Sequence, residues 1–565
     1  MARTAAIGHQ DYETIRVNDY FYVDKTEFIK EWWDSGDIVT LIARPRRFGK
    51  TLNMDMTEKF FSVQYAGRSD LFEGMKIWND GRFRDIQGTY PVISLTFAGI
   101  KDQQYFSARE NICRMIEESY NKFDFLTKGD LLNAKEKEYY SKVTASMDDS
   151  AAAVSLRNLS DYLYRYYGQK VIILLDEYDT PMQEAYVNGY WEQLAAFTRS
   201  LFNYTFKTNP YLERALMTGI TRVSKESIFS DLNNIKVVTT TTDMYETSFG
   251  FTEDEVFQAL DEFQLTEQKE EVKAWYDGFK FGNQSDIYNP WSVLNFLNER
   301  KTAPYWANTS SNSLVGKLIR EGSTGIKEDF QSLLDGGSVV TEIDEQIVYH
   351  QLDLDERAIW SLLLAAGYLK VKTMEICQSG YEEWKQLYTL ELTNFEVKVM
   401  FQHMVRGWFA SAASSYHGFL QALLTGDLEA MNAYMNRVAR GIFSYFDTAG
   451  DSEHAEPERF YHGFVLGLMV DLSDRYRVTS NRESGFGRYD IMLTPRRSDL
   501  DAMIIEFKVF SPRREKCLEE TAQNALKQIE EKDYARELKE NGIHDSRIRC
   551  YGFAFRGKEV LIEGR

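Results

Sequence analysis

Two groups of residues in this chain have the types and spacing to do phosphate chemistry. Near the N-terminus, Arg44-Pro-Arg-Arg-Phe-Gly-Lys-Thr51 ends in Gly49, Lys50 and Thr51, the last three positions of the pattern G-x-x-x-x-G-K-[S/T]. A glycine there lets backbone N–H groups approach phosphate oxygens, the lysine reaches the β- and γ-phosphates, and the hydroxyl holds Mg²⁺. Arg44 stands where the pattern has its first glycine. Far downstream, Asp490 is followed, after fifteen intervening residues, by Glu506-Phe507-Lys508. Two carboxylates at one spot repel unless a divalent cation sits between them, and hard oxygen donors suit Mg²⁺ or Mn²⁺. A lysine beside them orients or deprotonates an attacking water, or offsets charge developing on the phosphate. The first group implies a nucleotide. The second implies metal-dependent cleavage of a phosphodiester.

The elements around the first group are those it needs. Ile38-Val-Thr-Leu-Ile-Ala43 is a short apolar run of the kind found in buried parallel strands, and a helix is expected from Lys50. Further strands are expected at Pro91–Phe97, Lys170–Asp176, Arg214–Gly219 and Ile235–Thr239, with helices near 104–121, 153–168 and 188–206. That alternation indicates a doubly wound α/β sheet. The strand Val171-Ile-Ile-Leu-Leu-Asp-Glu177 ends in two carboxylates. Ligands bind at the C-terminal ends of parallel strands, so Asp176 is placed to support the Mg²⁺ shell and Glu177 to polarise the attacking water. Thr218 ends the next strand as a group able to sense the γ-phosphate, and Arg222 is a candidate for stabilising charge on the transferring phosphoryl group.

The second group sits on two expected strands, Arg488–Thr494 and Ala502–Val509, joined by a polar turn. Strand side chains alternate between faces, so Glu506 and Lys508 share one face and Asp490 on the neighbouring strand can meet them. A helix near 458–465 precedes this hairpin and brings Glu458 as a further candidate metal ligand. The helical stretch 525–534 that follows brings Gln528. His454 and His462 lie close by, but isolated histidines are more often surface or packing residues.

Four N-terminal stretches carry a resemblance: Tyr22-Val-Asp-Lys-Thr26, Arg44–Thr51, Leu174-Leu-Asp-Glu-Tyr-Asp179 and Thr218-Gly-Ile-Thr-Arg222. With them, residues about 5–240 resemble the bacterial AAA-ATPase-like family found fused to a C-terminal nuclease-like domain. In that family the loop resembles R-P-R-R-F-G-K-[S/T], in keeping with Arg44. The likeness implies ATP as ligand, with Arg46, Arg47, Phe48, Gly49, Lys50, Thr51, Asp176, Thr218 and Arg222 around it, and Tyr22, Asp24 and Lys25 as further contributors. Residues about 455–562 resemble the PD-(D/E)XK nuclease superfamily, which implies Asp490, Glu506 and Lys508 as its catalytic set with Mg²⁺ or Mn²⁺.

The expected organisation is an AAA-like P-loop ATPase domain (1–245), a helical lid (246–345), a helical connecting region (346–450) and a PD-(D/E)XK nuclease-like α/β domain (451–565). Hydrophobic residues make up 43% and aromatics 14% of the 565 residues, which is ample for packed cores. No apolar run approaches the roughly 18–20 residues that span a bilayer, and the N-terminus has no secretory h-region. Cys113, Cys377, Cys517 and Cys550 form no CxxC pair. These features imply a cytoplasmic protein without a membrane partner. The net charge of −20 argues against sequence-blind nucleic-acid binding by the whole surface. Tyr476–Lys516, however, holds nine Lys/Arg against six Asp/Glu. The function expected is ATP-regulated, metal-dependent cleavage of nucleic acid, DNA ahead of RNA, with a homo-oligomer as a further expectation. Two other readings are a nucleotide-dependent switch whose C-terminal domain binds without cleaving, and an ATPase acting on protein partners.

Overall fold

The computed structural model describes residues 3–221, 228–229, 232–307, 315–316, 318–319, 323–344, 355–379, 383–409, 413–442, 465, 472, 475–484, 487–497, 499–512, 514–556 and 559–565. The chain divides into two compact units, Met1–Glu321 with Ser332–Val399, and Gly322–Gln331 with Met400–Arg565.

The first unit is built on five strands: β1 (Val39–Ala43), β2 (Val92–Thr96), β3 (Val171–Asp176), β4 (Leu212–Gly219) and β5 (Ile235–Val238). They lie in the order β2-β3-β4-β1-β5, and every neighbouring pair is parallel. Every residue of β1 and β3 is buried, which is why both read as apolar runs, with Thr40 and the terminal Asp176 as their polar members. The chain leaves β1 for the edge strand β2, returns through β3 to β4, and then passes to β5 on the far side of β1. The direction of winding therefore changes between β1 and β4, the place where open α/β sheets hold ligands. Arg44 N, just past β1, donates to the Gly219 carbonyl at the end of β4 (3.1 Å), so the two exits are stitched together.

The helix expected near 188–206 is two helices, Thr180–Asn188 and Trp191–Phe202. Gly189 separates them with a left-handed backbone (φ 78), where Tyr190 N turns back to the Ala185 carbonyl.

Residues 246–307 mix helices with a small antiparallel sheet, β6 (Phe251–Thr252), β8 (Gln284–Tyr288) and β7 (Phe279–Phe281), in that order. The stretch expected to be a helical connector departs further. After β9 (Val339–Glu342) and the helix Ala358–Ala365, the chain forms a long antiparallel hairpin, β10 (Leu369–Ser379) with β11 (Glu383–Leu392), and β9 pairs with β11. Lys370-Val-Lys and Thr373-Met-Glu-Ile each alternate polar and apolar residues, a strand pattern interrupted at Lys372-Thr373, where the register with β11 shifts.

Glu396, in the helix Phe395–Phe409, is fully buried and ties this region together. It accepts from Trp306 N (2.6 Å), Ala307 N (3.3 Å) and Ser292 Oγ (2.8 Å). Burial pushes its carboxyl up to about 7, from 4.5. A carboxyl raised on folding contributes stability that is full below about pH 4.5 and is lost as pH rises through about 7. In Glu396→Gln the amide oxygen can still accept from the two backbone N–H groups while its nitrogen donates to Ser292. This variant is expected to lose up to about 3 kcal/mol of that pH dependence. Denaturant titrations of both proteins at a series of pH values measure the difference.

The second unit carries a sheet in the order β12 (Tyr476–Ser484), β13 (Gly487–Pro495), β14 (Ala502–Val509), β15 (Ile548–Arg556), β16 (Glu559–Gly564). Only the β14–β15 pair is parallel. Met503, Ile505 and Phe507 pack with the helices Ala413–Thr425 and Leu428–Ile442. Ala502 and Ile504 face Leu526 and Ile529 of the helix Leu518–Glu531. Among the described residues, no helix is long and apolar enough to cross a membrane.

Candidate functional site

The turn between β1 and the helix Lys50–Phe61 contains two left-handed residues, Arg47 (φ 65) and Gly49 (φ 79). Glycine adopts this backbone freely, whereas at Arg47 it costs on the order of 1–3 kcal/mol that the surrounding fold must offset. Lys50 opens the helix and is buried. Its Nζ donates to the carbonyls of Arg44 (2.9 Å) and Pro45 (2.8 Å), closing the loop on itself. Burial lowers its pKa, and Glu177, Asp176 and Asp179 oppose that shift.

One turn of side chains beyond, the sequence-expected residues meet. Thr51 Oγ1 donates to Asp176 Oδ2 (2.7 Å), and Thr218 Oγ1 donates to Asp176 Oδ1. Thr218 Oγ1 also accepts from Glu177 N (3.4 Å), so β1, β3 and β4 converge on one carboxylate. Asp176 is buried and its pKa is raised by that burial. Glu177 has a left-handed backbone (φ 51), and its Oε2 accepts from Thr180 Oγ1 (3.2 Å). A strained residue at the end of a buried strand is a common mark of a functional position. The next two residues hold the exit of β4. Tyr178 Oη donates to the Thr221 carbonyl (2.8 Å), and Asp179 Oδ2 accepts from Ile220 N, Thr221 N and Thr221 Oγ1. Gly219 is required there, because a Cβ would stand 2.7 Å from the Tyr178 ring and 2.8 Å from Asp179 Oδ1.

The rest of the loop points elsewhere. Arg44 is buried, its pKa pushed down to about 9 by burial. Its guanidinium donates to the carbonyls of Ala43, Thr239 and Met244 and lies over the Phe281 ring at 4.6 Å. It braces the exit of β1 against the loop after β5. Arg47 lies over Trp291 at 4.4 Å. Arg46 Nη2 reaches Gln183 Oε1 (3.4 Å), and the Arg46 carbonyl accepts from Trp306 Nε1 (3.1 Å) and Asn289 Nδ2 (3.4 Å). No motif signal marked Trp306 or Asn289 as supports of this loop. Tyr22, Asp24 and Lys25 hold the N-terminal segment in place: Tyr22 Oη reaches Met56 Sδ, Asp24 accepts from Thr26 and Lys76 N, and Lys25 pairs with Glu255 (2.6 Å). Arg222 lies outside the described residues.

Phe48 is 1% exposed and packs against Phe279 (4.7 Å) and Phe281 (5.3 Å). Phe48→Ala is expected to cost about 3–5 kcal/mol of stability, as a large-to-small change in an aromatic core does. Chemical denaturation of the variant reads this directly.

In the second unit the hairpin forms as expected. Asp490 Oδ2 accepts from Phe507 N (2.8 Å), which fixes the first acid against the strand that carries the second. Glu506 is 3% exposed. Gln528, from the helix Leu518–Glu531, bridges the other two groups: its Oε1 accepts from Lys508 Nζ (2.6 Å) and its Nε2 donates to Glu506 Oε1. The same Nε2 reaches Tyr534 Oη (3.2 Å), so the amide has a fixed orientation. Asp490, Glu506 and Lys508 thus come together with Gln528. The carboxylate oxygens of Asp490 and Glu506 are the right donors for a hard divalent cation, and Lys508 supplies a neighbouring positive charge. Among the described residues, no group of three or more His, Cys, Asp or Glu gathers as a metal site. Glu458, His454 and His462 lie outside the described residues.

Comparison with known proteins agrees with this division. A family described as predicted AAA-ATPase matches residues 6–229, and a family of the PD-(D/E)XK nuclease superfamily matches residues 456–564. A protein of Azotobacter chroococcum mcd 1, described as an uncharacterized protein in the vnfD 5' region, is 24% identical over 555 residues, covering 95% of this chain and 94% of its own. The chain therefore joins an AAA-ATPase-like region at its N-terminus to a PD-(D/E)XK nuclease-superfamily region at its C-terminus.

Proposed function

We propose that this protein is an ATP-binding and ATP-hydrolysing P-loop protein whose C-terminal domain cuts nucleic-acid phosphodiesters, DNA ahead of RNA, with Mg²⁺ or Mn²⁺ and under nucleotide control. The observation that carries the reading is the cluster in which Gln528 links Glu506 to Lys508 while Asp490 is pinned to the same strand. A buried carboxylate beside an acid and a lysine is costly to keep unless the charges serve a ligand. Asp490 and Glu506 would hold the divalent ion, which when bound supplies a Lewis acid and a more acidic water. Lys508 orients the water or offsets charge on the scissile phosphate, and Gln528 holds Glu506 and Lys508 in place.

In the N-terminal region, Lys50 would exchange the carbonyls of Arg44 and Pro45 for phosphate oxygens. Thr51 and Asp176 would share the Mg²⁺ shell, Glu177 would polarise the attacking water, and Thr218 would position Asp176 and Glu177. Arg46 is the loop cation placed to follow a phosphate, while Phe48 and Arg47 hold the loop from behind. Residues 246–345 act as the lid in this reading.

The test is cleavage of labelled DNA and RNA by the purified protein with Mg²⁺ or Mn²⁺, with and without ATP. Divalent-dependent products that change with ATP support the reading. Arg44, which stands at the loop's first glycine position and is committed to the carbonyls of Ala43, Thr239 and Met244, favours one alternative, a nucleotide-dependent switch that binds nucleic acid or a protein partner without cutting. ATP binding without cleavage of any substrate selects it.

A further inference from the structure

One end of the C-terminal sheet carries a concentration of arginine that neither site uses. Arg475 and Arg477 lie at the start of β12, Arg496 and Arg497 in the turn between β13 and β14, and Arg547 and Arg549 at the start of β15. Strand pairing gathers them: Tyr476 lies opposite Pro495, and Ala502 opposite Ile548. Arg496 N donates to the Arg475 carbonyl (2.8 Å), and Arg547 Nη2 to the Leu500 carbonyl. The carboxylates facing the group are Asp499 on Arg497 (2.9 Å), Asp501 on Arg547 (3.3 Å) and Arg549 (2.9 Å), and Glu537 on Arg477 (3.4 Å). Among the described residues, six guanidinium groups therefore face three carboxylates, on a chain whose net charge is −20.

We propose that this arginine rim is the surface on which the C-terminal domain holds the phosphodiester backbone of its nucleic-acid substrate, to one side of the cut. The inference rests on the nuclease reading above and adds where the substrate lies. Gathering like charges costs self-repulsion. Arg547 and Arg549 clamp Asp501, and Arg496 Nε donates to the Tyr476 carbonyl (3.4 Å), yet Arg475 and Arg496 remain exposed, and the Arg477 and Arg497 side chains are 55% and 69% exposed. Every member is arginine, whose planar fork matches phosphate oxygens in a way that a lysine ammonium does not. The rim stands at the Ala502 end of β14, four residues from Glu506, or about 13 Å at strand rise. That distance corresponds to about four nucleotides of a duplex strand. A backbone fixed at the rim can therefore reach the acidic cluster.

The test uses the full chain carrying Glu506→Ala to prevent cutting, with and without Arg475→Ala, Arg477→Ala, Arg496→Ala and Arg497→Ala together. Binding to fluorescent duplex DNA, single-stranded DNA and RNA is followed from 50 to 200 mM salt. The rim variant is expected to bind at least about tenfold more weakly at the low-salt end, with a salt slope shallower by about 2–4. The four arginine-to-lysine changes are expected to restore most of the slope, which sets charge apart from folding. A charge-matched control, Lys128, Lys135, Lys137 and Lys142 all to alanine, should leave the slope unchanged. An unchanged slope in the rim variant, in a protein that binds nucleic acid, overturns the rim and leaves the nuclease reading standing. If the protein without rim substitutions binds none of the three nucleic acids, both fall.

Discussion

Glu506→Ala is expected to reduce divalent-dependent cleavage by at least about a thousandfold, to the background of the assay. Glu506 is buried, its Oε1 accepts from Gln528 Nε2, and Lys508 Nζ donates to the Oε1 of that same amide. Removing the carboxylate deletes a candidate metal ligand. It also removes the carboxylate to which Gln528 Nε2 donates, and so loosens the amide that holds Lys508. Gln528→Ala keeps both candidate ligand carboxylates and loses only their support, so its effect should be smaller, about 10- to 100-fold, and should appear as weaker metal dependence. Cleavage rates titrated with Mn²⁺ separate the two. Glu506→Ala should stay inactive at every concentration, whereas Gln528→Ala should recover as the metal rises. Full cleavage by Glu506→Ala would remove the C-terminal cluster from the chemistry altogether. Because Glu506 is buried, thermal unfolding of both variants belongs beside the rates.

The order of these effects also marks where sequence reading succeeds. The parallel sheet is legible because its strands β1 and β3 are buried on both faces and are therefore mostly apolar. Asp176, Thr51 and Thr218 are legible because each ends or follows such a strand, and parallel strands bring their ends together. Phe48 and Arg44 show the opposite case. Both sit inside the loop motif, yet Phe48 points into an aromatic core and Arg44 grips the carbonyls of Ala43, Thr239 and Met244. A place in a motif fixes the backbone path and says little about which side chains face the ligand. The hairpin β10–β11 is only partly marked in the sequence, because its polar–apolar alternation breaks at Lys372-Thr373, and apolar segments on either side favour a helical reading of the whole stretch. Trp306 and Asn289 carry no local signal, since they lie more than 240 residues beyond the Arg46 carbonyl they support.

In the N-terminal region the largest expected effects come from Lys50→Ala and Glu177→Gln, and they differ in kind. Lys50 Nζ already satisfies two carbonyls of its own loop, so the loop is shaped around a cation at that point. Its loss should cost about 1.5–3 kcal/mol of charge-assisted bonding to phosphate, or roughly a 10- to 100-fold weaker affinity for ATP. Glu177→Gln leaves the backbone, the Thr218 contact of its N–H and the Asp176 network intact, and removes only the basic oxygen. ATP should bind nearly as before, while hydrolysis falls by about 10²–10⁴. Binding of a fluorescent ATP analogue and release of inorganic phosphate measure the two quantities independently. The pair also tests nucleotide control. At an ATP concentration between the dissociation constants of the two variants, Lys50→Ala is mostly nucleotide-free and Glu177→Gln mostly ATP-loaded. If nucleotide occupancy governs the C-terminal site, their cleavage rates should depart from the unsubstituted protein in opposite directions. Equal rates in both would mean that the two regions act independently.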